Sequence, residues 1–170
     1  MPNDIKVVPP DFHAILDEWE NSTDSYFLTG KAGTGKSTLL KIFRRTTRKK
    51  LAVLAPTGMA AIQVHGQTIH SFFKLPPRLL APADIQKPKN FKLLKKLDVI
   101  VIDEISMVRA DLLDAIDQSL KLARNDSRPF GGVQMLFFGD VFQLPPIIST
   151  TEEKAWFEIH YDSPYFFDAH

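Results

Sequence analysis

Short apolar runs alternate along the chain with longer segments in which apolar residues recur three or four positions apart. A short continuous apolar run is typical of a strand buried on both faces, whereas the longer spacing indicates a helix with one buried face. Strands are predicted at residues 25–28, 51–55, 99–102 and 134–138. This alternation predicts an α/β fold with a mainly parallel sheet flanked by helices.

The apolar residues of three predicted helices fall on one face of each helix. The first helix is predicted to be capped by Asp11, the second to begin near Lys36, and the third to follow the strand at 99–102. Residues 74–96 contain four prolines and, from residue 87 onward, five lysines, so we expect a loop and then a short exposed helix. The predicted core-facing residues are Phe12, Ile15, Leu16, Trp19, Leu39, Leu40, Ile42, Phe43, Leu112, Leu113, Ile116 and Leu120.

Length and composition predict one folding unit over residues 1–170, because 44% hydrophobic residues are enough for a substantial core. Lys and Arg number 21 against 20 Asp and Glu, so the net charge of +1 indicates no general affinity for nucleic acid. Any such binding must be local. The basic residues within 44–50 suit the negative end of the second helix dipole, and a solvated face is a better interpretation of them than a DNA site.

Missing residue types exclude several kinds of site. The sequence has no cysteine, which excludes disulfides, thiolate catalysis and cysteine zinc sites. No two of its five histidines are three or four positions apart, the spacing that would place two metal ligands on one face of a helix, so no structural metal is predicted. No long apolar stretch occurs, and we therefore expect a soluble, untargeted, bacterial-type cytoplasmic protein without membrane contact.

Residues 30–37 read GKAGTGKS and directly follow an apolar run, which is the order of strand, loop and helix that a nucleotide phosphate cradle requires. Glycines allow turns in which successive backbone N–H groups and the helix N-terminus point at phosphate oxygens. Lys36 supplies a charge for the β and γ phosphates, and Ser37 a hydroxyl for Mg²⁺. A chance glycine turn is disfavoured by this order of elements. The predicted ATP-binding residues are Gly30, Ala32, Gly33, Thr34, Gly35, Lys36, Ser37 and Thr38.

Two acids follow the apolar run at 99–102, at the end of a strand that is predicted to be buried. Asp103 is predicted to hold Mg²⁺ through water, and Glu104 to orient and deprotonate the water that attacks the γ-phosphate. Adjacent acids alone are a weak signal, but together with the phosphate cradle they are a strong one. The glutamate favours a hydrolase over a small-molecule kinase, and no Asn-Lys-x-Asp motif supports a GTPase.

Residues 139–146 read GDVFQLPP and end another predicted strand, so Asp140 and Gln143 should reach the same sheet edge as Asp103. Gln143 can both donate and accept hydrogen bonds, and is predicted to sense the γ-phosphate or the attacking water. The alternative is an exposed loop glutamine without a role. Pro145 and Pro146 would stiffen the loop so that it transmits a signal.

Residues 55–73 combine hydrogen-bonding side chains with Phe72 and Phe73 after a strand end. Hydroxyl groups suit phosphate contacts and an aromatic ring offers a base a stacking face, a mixture that fits single-stranded nucleic acid. The same segment can be explained as core packing, with Ile62, Val64, Ile69 and the phenylalanines buried. Residue types alone leave these two interpretations equally open.

Taken in order, GKAGTGKS, APTGMAA with GQTIHSFF, IDEISMV, PFGGVQ and FGDVFQLPP resemble the motif set of the petite integration frequency helicases. These are RecD-like DNA helicases of superfamily one that move 5′ to 3′, and the resemblance runs from about Phe27 to Phe167. It implies a RecA-like P-loop fold. It also implies ATPase roles for Lys36, Ser37, Asp103, Glu104 and Gln143, and an approach to single-stranded DNA by Pro56, Thr57, His65, Thr68, His70 and Phe72.

Residues 124–134 resemble a stretch peculiar to this family, in which Arg128 is open to a role in DNA binding or in structure. The chain departs from the family at residues 7–25, which contain no glutamine to read adenine, so selectivity for the base is in doubt. It also resembles only the first of two motor lobes, and the second lobe supplies arginines that stabilise the transferring phosphoryl group.

The sequence is therefore interpreted as the first motor lobe of a DNA helicase, expected to be a monomer, to hydrolyse ATP slowly and to unwind no duplex by itself. Two alternatives belong to other classes. A module that uses ATP only as a switch is disfavoured by Glu104, which such a switch does not need. A phosphotransferase would need an acceptor pocket and a lid, for which residues 57–73 are the candidate.

Overall fold

The computed structural model describes residues 10–31, 33–81, 84–86, 88 and 90–170. Its strands are β1 (Tyr26–Thr29), β2 (Leu51–Ala55), β3 (Gln67–Thr68), β4 (Val99–Ile102) and β5 (Gln134–Gly139). Its helices are α1 (Pro10–Asn21), α2 (Lys36–Thr46), α3 (Gly58–Gln63), α4 (Ile69–Phe73), α5 (Phe91–Leu94), α6 (Ala110–Arg124) and α7 (Thr151–His160). Among these residues no helix is long and apolar enough to span a membrane.

The five strands form one sheet in the order β1-β5-β4-β2-β3, and every neighbouring pair is parallel. Val99 at the start of β4 pairs with Leu51 of β2 on one side and with Gln134 of β5 on the other. The strands therefore start at one edge of the sheet and end at the opposite edge. The predicted parallel sheet is confirmed.

Helices cover both faces of the sheet, as β4 illustrates. Val99 and Val101 point to a cluster with residues of α1 and α2, whereas Ile100 and Ile102 point to a second cluster with residues of α4 and α6. All four of these side chains are buried, because alternate residues of a strand face opposite sides and both sides are covered. The α/β fold predicted from the apolar pattern is confirmed.

Some predicted details are wrong. Helix α1 begins at Pro10, so Asp11 lies in its first turn and is not its cap. The short helix after the prolines is α5, and its Leu94 is fully buried rather than exposed. Leu80 of the preceding loop is also buried, because the prolines break backbone hydrogen bonding without preventing side chains from reaching the core. Ile62, a candidate for the core, is 71% exposed.

Three short helices, α3, α4 and α7, were not predicted from the spacing of apolar residues. A threonine side chain caps the N-terminus of each. Thr57 accepts a hydrogen bond from the Ala60 N–H at the start of α3, and Thr68 accepts one from the Ser71 N–H at the start of α4. Thr150 and Glu153 form a reciprocal capping box at the start of α7. The spacing of Thr150 and Glu153 was a readable signal for this third helix.

Candidate nucleotide-binding site

A pocket of about 300 Å³ opens at the carboxyl edge of the sheet. The ends of β1, β4 and β5 bring the phosphate cradle, the two acids and the sensor loop to this pocket, three motifs that are far apart in sequence. Its lining residues are Gly33, Thr34, Gly35, Lys36, Ser37, Thr38, Asp103, Glu104, Asp140 and Gln143. The convergence predicted from the strand ends is therefore present.

The cradle depends on glycine at two positions. Gly33 and Gly35 have φ angles of 81° and 93°, which residues other than glycine rarely adopt. A Cβ on Gly35 would also lie 3.1 Å from the Phe12 ring of α1. Helix α2 begins directly after Gly35, so its free N-terminal N–H groups and its dipole face the pocket. Ala32 lies outside the described residues, and Gly30 contributes its carbonyl rather than lining the pocket.

Lys36 is the first residue of α2, and its side chain lies over the loop that precedes it. The ammonium donates hydrogen bonds to the carbonyl oxygens of Gly30 and, at 3.0 Å, of Lys31. These neutral acceptors leave its positive charge uncompensated within the loop. The cradle therefore combines one cation with the backbone N–H groups, an arrangement suited to an anion with several oxygens.

Asp103 and Glu104 both line the pocket because the backbone turns sharply between them. On a continuing strand, successive side chains would point to opposite faces of the sheet. Glu104 instead adopts a left-handed conformation, with φ 53° and ψ 43°, and begins the 3₁₀ turn Ile105–Met107. Burial, and secondarily the charge of Glu104, raise the pKa of Asp103.

Asp140 lies at the end of β5 and aims the sensor glutamine. Its carboxylate is 5% exposed, and accepts hydrogen bonds from the Phe142 N–H at 3.1 Å and from Nε2 of Gln143 at 3.0 Å. The bond fixes Gln143 beside the acids, although that residue is otherwise exposed. Sequence reasoning located Asp140 but gave it no role. Its position directly after a buried strand was the signal that could have identified it.

The six candidate DNA-binding residues do not line the pocket but lie between the end of β2 and the end of α4, with Thr68 in β3. Thr57 and Thr68 use their hydroxyl oxygens as helix caps, and His65 is exposed with a φ of 49°. Pro56, Thr57, Thr68 and His70 are half-buried.

His70 is half-buried and Phe72 is buried, whereas His65 is exposed. The Nδ1 atom of His70 is buried without a hydrogen-bond partner among the described residues. Burial, and secondarily the nearby Arg109 charge, lower its pKa, which keeps the ring neutral. Phe72 is 7% exposed and packs against Phe73 at a ring distance of 5.2 Å. Its burial favours the core interpretation over base stacking.

In residues 124–134, the stretch that resembles the helicase family, an arginine connects the end of α6 to neighbouring segments of the chain. Arg124 donates hydrogen bonds to the carbonyls of Gly131 at 2.7 Å and Leu97 at 3.0 Å, and to those of Leu94 and Lys95 at 3.2 Å. Arg128 is exposed and pairs with Asp126, lowering the pKa of that carboxyl to about 2.

Comparison with known proteins finds one family over nearly the whole chain. Residues 10–168 match the family model described as PIF1-like helicase. The chain is 41% identical over 147 residues to the ATP-dependent DNA helicase PIF1 of Emericella nidulans, which covers 78% of this chain and 20% of that protein. It is 40% identical over 144 residues to human ATP-dependent DNA helicase PIF1, covering 78% of this chain and 22% of that protein.

Solved structures show the same fold. A Pif1 helicase from Bacteroides, crystallised in complex with ADP-AlF3 and ssDNA, superposes with a TM-score of 0.88 at 40% identity, covering 96% of this chain and 39% of that one. Pif1 helicase from Candida albicans gives a TM-score of 0.78 at 34% identity, covering 97% and 37%. The chain thus has the RecA-like P-loop fold, and it spans about a fifth of the length of these curated relatives.

Proposed function

Because the chain belongs to the PIF1-like helicase family, we propose that it is the nucleotide-binding lobe of an ATP-dependent DNA helicase. The parent protein couples ATP hydrolysis to 5′-to-3′ movement along single-stranded DNA. The observation that carries the proposal is the single pocket in which Lys36, Glu104 and Gln143 meet. A phosphate cradle, a base for water and a sensor are the parts that hydrolysis of a nucleoside triphosphate requires.

The residues of the pocket fit magnesium as well as ATP. Ser37 and Asp103 offer hydroxyl and carboxylate oxygens, the ligands that Mg²⁺ prefers. These two residues would hold the ion, and when bound it neutralises charge on the phosphates. Lys36 exchanges its carbonyl contacts in the loop for the β and γ phosphates.

In the proposed reaction, Glu104 orients a water molecule toward the γ-phosphorus and accepts its proton. A bond forms between the water oxygen and the γ-phosphorus while the bond to the ADP oxygen breaks. Gln143, which is held by Asp140, contacts the γ-phosphate or the water and loses that contact when phosphate departs. Release of the contact changes the loop that leads to α7, which links hydrolysis to the rest of the motor.

Single-stranded DNA is proposed to run beside the pocket, over Pro56, Thr57, His65, Thr68 and His70. These residues lie between the end of β2 and the end of α4, and β2 is the neighbour of β4, the strand that ends just before Asp103. The Bacteroides relative was crystallised with ssDNA and ADP-AlF3, which supports the pairing of the two ligands. We propose that arginines from the remainder of the longer protein complete the ATPase site. Monomeric state and cytoplasmic location stay predictions.

The phosphotransferase alternative is weakened by the same segment. Helices α3 and α4 take up most of residues 57–73, and both are capped and packed rather than free to close as a lid. Glu104 in the pocket likewise weakens the alternative of an ATP switch without hydrolysis, since a switch needs no base.

Titration calorimetry with Mg²⁺ and ATP tests the nucleotide site. Lys36→Ala is expected to weaken binding at least about tenfold, because a charge-assisted contact to phosphate contributes about 1.5–3 kcal/mol. Lys41→Ala is the matched control, since Lys41 is exposed on the same helix and lies outside the pocket. Unchanged ATP affinity in Lys36→Ala would remove the basis of the proposed function.

Hydrolysis is tested separately, in the longest natural form of the gene product with and without single-stranded DNA. Glu104→Gln is expected to retain ATP binding and lose about 10²-fold or more in turnover, since it keeps the shape of the side chain but not its basicity. Turnover that survives this substitution would assign the proton transfer to another group.

A further inference from the structure

Two lysine- and arginine-rich segments meet at the amino edge of the sheet, opposite the nucleotide pocket. Residues 44–50 contain five basic residues and no acid, and residues 92–98 contain three lysines and one acid. They are joined where β2 and β4 begin. The Lys50 carbonyl accepts a hydrogen bond from the Asp98 N–H at 3.0 Å, and the Lys50 N–H donates to the Asp98 carboxylate at 2.8 Å. We call residues 44–50 and 92–98 the basic edge.

The overall charge of the chain does not reveal this concentration of basic residues. The whole chain carries 21 basic and 20 acidic residues, of which the basic edge holds eight and one. The remaining residues are therefore net acidic, and the basic edge is the part of the molecule that attracts polyanions.

Two side chains of the basic edge donate hydrogen bonds to neutral groups, and a third forms an ion pair. Arg44 donates to the carbonyls of Val64 and His65, which are neutral. Lys49 donates to backbone carbonyls and to a glutamine side chain, and is partly buried rather than solvated as predicted. Arg48 forms one ion pair with Glu20, at 3.5 Å. The exposed lysines are Lys50, Lys92, Lys95 and Lys96.

Stabilisation of helix ends does not account for the basic edge. Basic residues do favour helix C-termini, and α2 ends here. However, α5 has only four residues, so its dipole is too small to require three lysines. Helix α6 also ends at this side of the sheet, and there Lys121 is paired with Asp117 at 2.6 Å. The lysine at the end of α6 is thus paired with a carboxylate, whereas Lys92, Lys95 and Lys96 form no ion pair with a carboxylate of the described residues.

We propose that the basic edge binds the phosphate backbone of duplex DNA. Sites for single strands combine cations with exposed aromatic rings, on which bases stack. Neither segment of the basic edge contains an aromatic residue, and the adjoining Phe91 packs against the core and has the Lys95 ammonium 5.8 Å from its centroid. Cations without a stacking face suit the regularly spaced phosphates of a duplex.

The two sites can be occupied together, because they lie at opposite ends of the strands. Strand β2 alone separates its two edges by about 13 Å. The inference goes beyond the proposed function. It depends on that function in one respect only, which is that a protein that separates DNA strands contacts duplex DNA. Duplex binding can be measured without ATP turnover.

Fluorescence anisotropy with a labelled blunt duplex of 20 base pairs tests the basic edge in residues 1–170. At 50 mM salt, Lys92→Glu/Lys96→Glu is expected to weaken duplex binding at least about tenfold and to make the slope of log K against log salt shallower by about 2. The matched control is Lys41→Glu/Lys154→Glu, which makes the same change of charge at exposed positions elsewhere. Its duplex affinity is expected to stay within about twofold of wild type, a smaller change than one phosphate contact.

Three results would overturn the inference. They are absence of duplex binding by the wild-type chain, an equal loss in the control, and an equal loss of binding to an oligo-dT single strand in Lys92→Glu/Lys96→Glu. The single variant Lys96→Glu repeats the test if urea unfolding shows that the double variant is not folded. ATP and oligo-dT binding are measured on the same samples. Their absence in the wild type would contradict the proposed function and leave the duplex result standing.

Discussion

At Glu104 the backbone is held in a conformation that residues other than glycine adopt at a cost of about 1 kcal/mol. The turn places its carboxylate and that of Asp103 in one pocket, where a regular strand would have separated them. Two like charges in a partly buried pocket oppose each other, and both depend on cations to be stable there. The pocket thus favours positively charged ligands beside the phosphates of ATP.

Replacing Asp103 with asparagine is expected to stabilise the lobe while removing a ligand for magnesium. Burial raises the pKa of Asp103 above its ordinary value of 3.8, so the folded lobe binds its proton more tightly than the unfolded chain. Stability from this residue is therefore present at low pH and is lost as pH rises through the folded pKa. At pH 7, Asp103→Asn should gain about 1 kcal/mol, or about 2–4 °C in Tm.

Thermal unfolding in EDTA checks this expectation, and the gain should shrink toward pH 4. An Asp103→Asn lobe that is less stable than wild type at pH 7 would show that the carboxylate makes a stabilising contact. Calorimetry on the same variant should show ATP binding that no longer responds to Mg²⁺.

The order of motifs in the sequence predicted that Lys36, Asp103 and Gln143 lie at one edge of the sheet, because each follows the end of a strand, directly or after a loop, and parallel strands bring those ends together. It did not predict the contact from Asp140 to Gln143, and it left the burial of Phe72 open. Both depend on side-chain packing between segments, to which residue type and spacing carry no direct signal.

At the scale of elements, the caps of α3 and α4 stabilise the two helices of the candidate DNA-binding segment. Thr57 and Thr68 serve as N-caps through their hydroxyl oxygens, and also sit at the positions expected to face DNA. The loss of a threonine cap costs about 1 kcal/mol. An alanine substitution at either position therefore weakens the helix and removes any DNA contact at the same time. A loss of DNA binding in such a variant does not distinguish the two causes.

Aspartate at position 57 separates the two roles of the threonine. Thr57→Asp keeps a cap acceptor, so the urea midpoint should stay near that of wild type, whereas Thr57→Ala should lose about 1 kcal/mol. The added negative charge repels phosphate, so single-stranded DNA binding should fall in Thr57→Asp at least as far as in Thr57→Ala. If Thr57→Asp binds an oligo-dT strand as tightly as wild type does, Thr57 does not face the DNA.

Arg124 joins the end of α6 to the segments on either side of it, and its substitution should destabilise the fold. Arg124→Lys keeps the charge, but one ammonium cannot reach the carbonyls of both Gly131 and Leu97, so a loss of about 2–3 kcal/mol is expected in urea unfolding. Arg128→Lys is the matched control, because Arg128 is exposed and its ion pair lies at the surface. The control should leave the midpoint unchanged, and equal effects of the two substitutions would contradict a structural role specific to Arg124.

Over the whole molecule, short continuous apolar runs predicted the four main strands, because a strand covered on both faces carries apolar residues at successive positions. The two-residue strand β3 was too short to leave a period in the sequence, and the four-residue helix α5 was predicted as an exposed helix. Leu94 of α5 is nevertheless in the core, so short elements contribute packing that only the tertiary structure defines.

The prediction of one folding unit is testable through the two tryptophans, which report on distant parts of the lobe. Trp19 is buried between Phe43 and Phe138 at the α1 face, and Trp156 stacks on His160 in α7. In Trp156→Phe and in Trp19→Phe, the fluorescence midpoint in urea should coincide with the far-UV circular dichroism midpoint of the same variant. Separate midpoints in Trp19→Phe would indicate that α7 unfolds independently.

The basic edge lies at one end of the strands, while Asp103, Glu104 and Asp140 lie at the other. The lobe is therefore expected to have an electric moment along the strands and to adsorb to a negatively charged solid with one preferred orientation. On bare silica or a carboxylated sensor chip, we expect the pocket to point away from the solid and toward the flowing solution. We then expect a lobe immobilised without a tag to remain open to nucleotide.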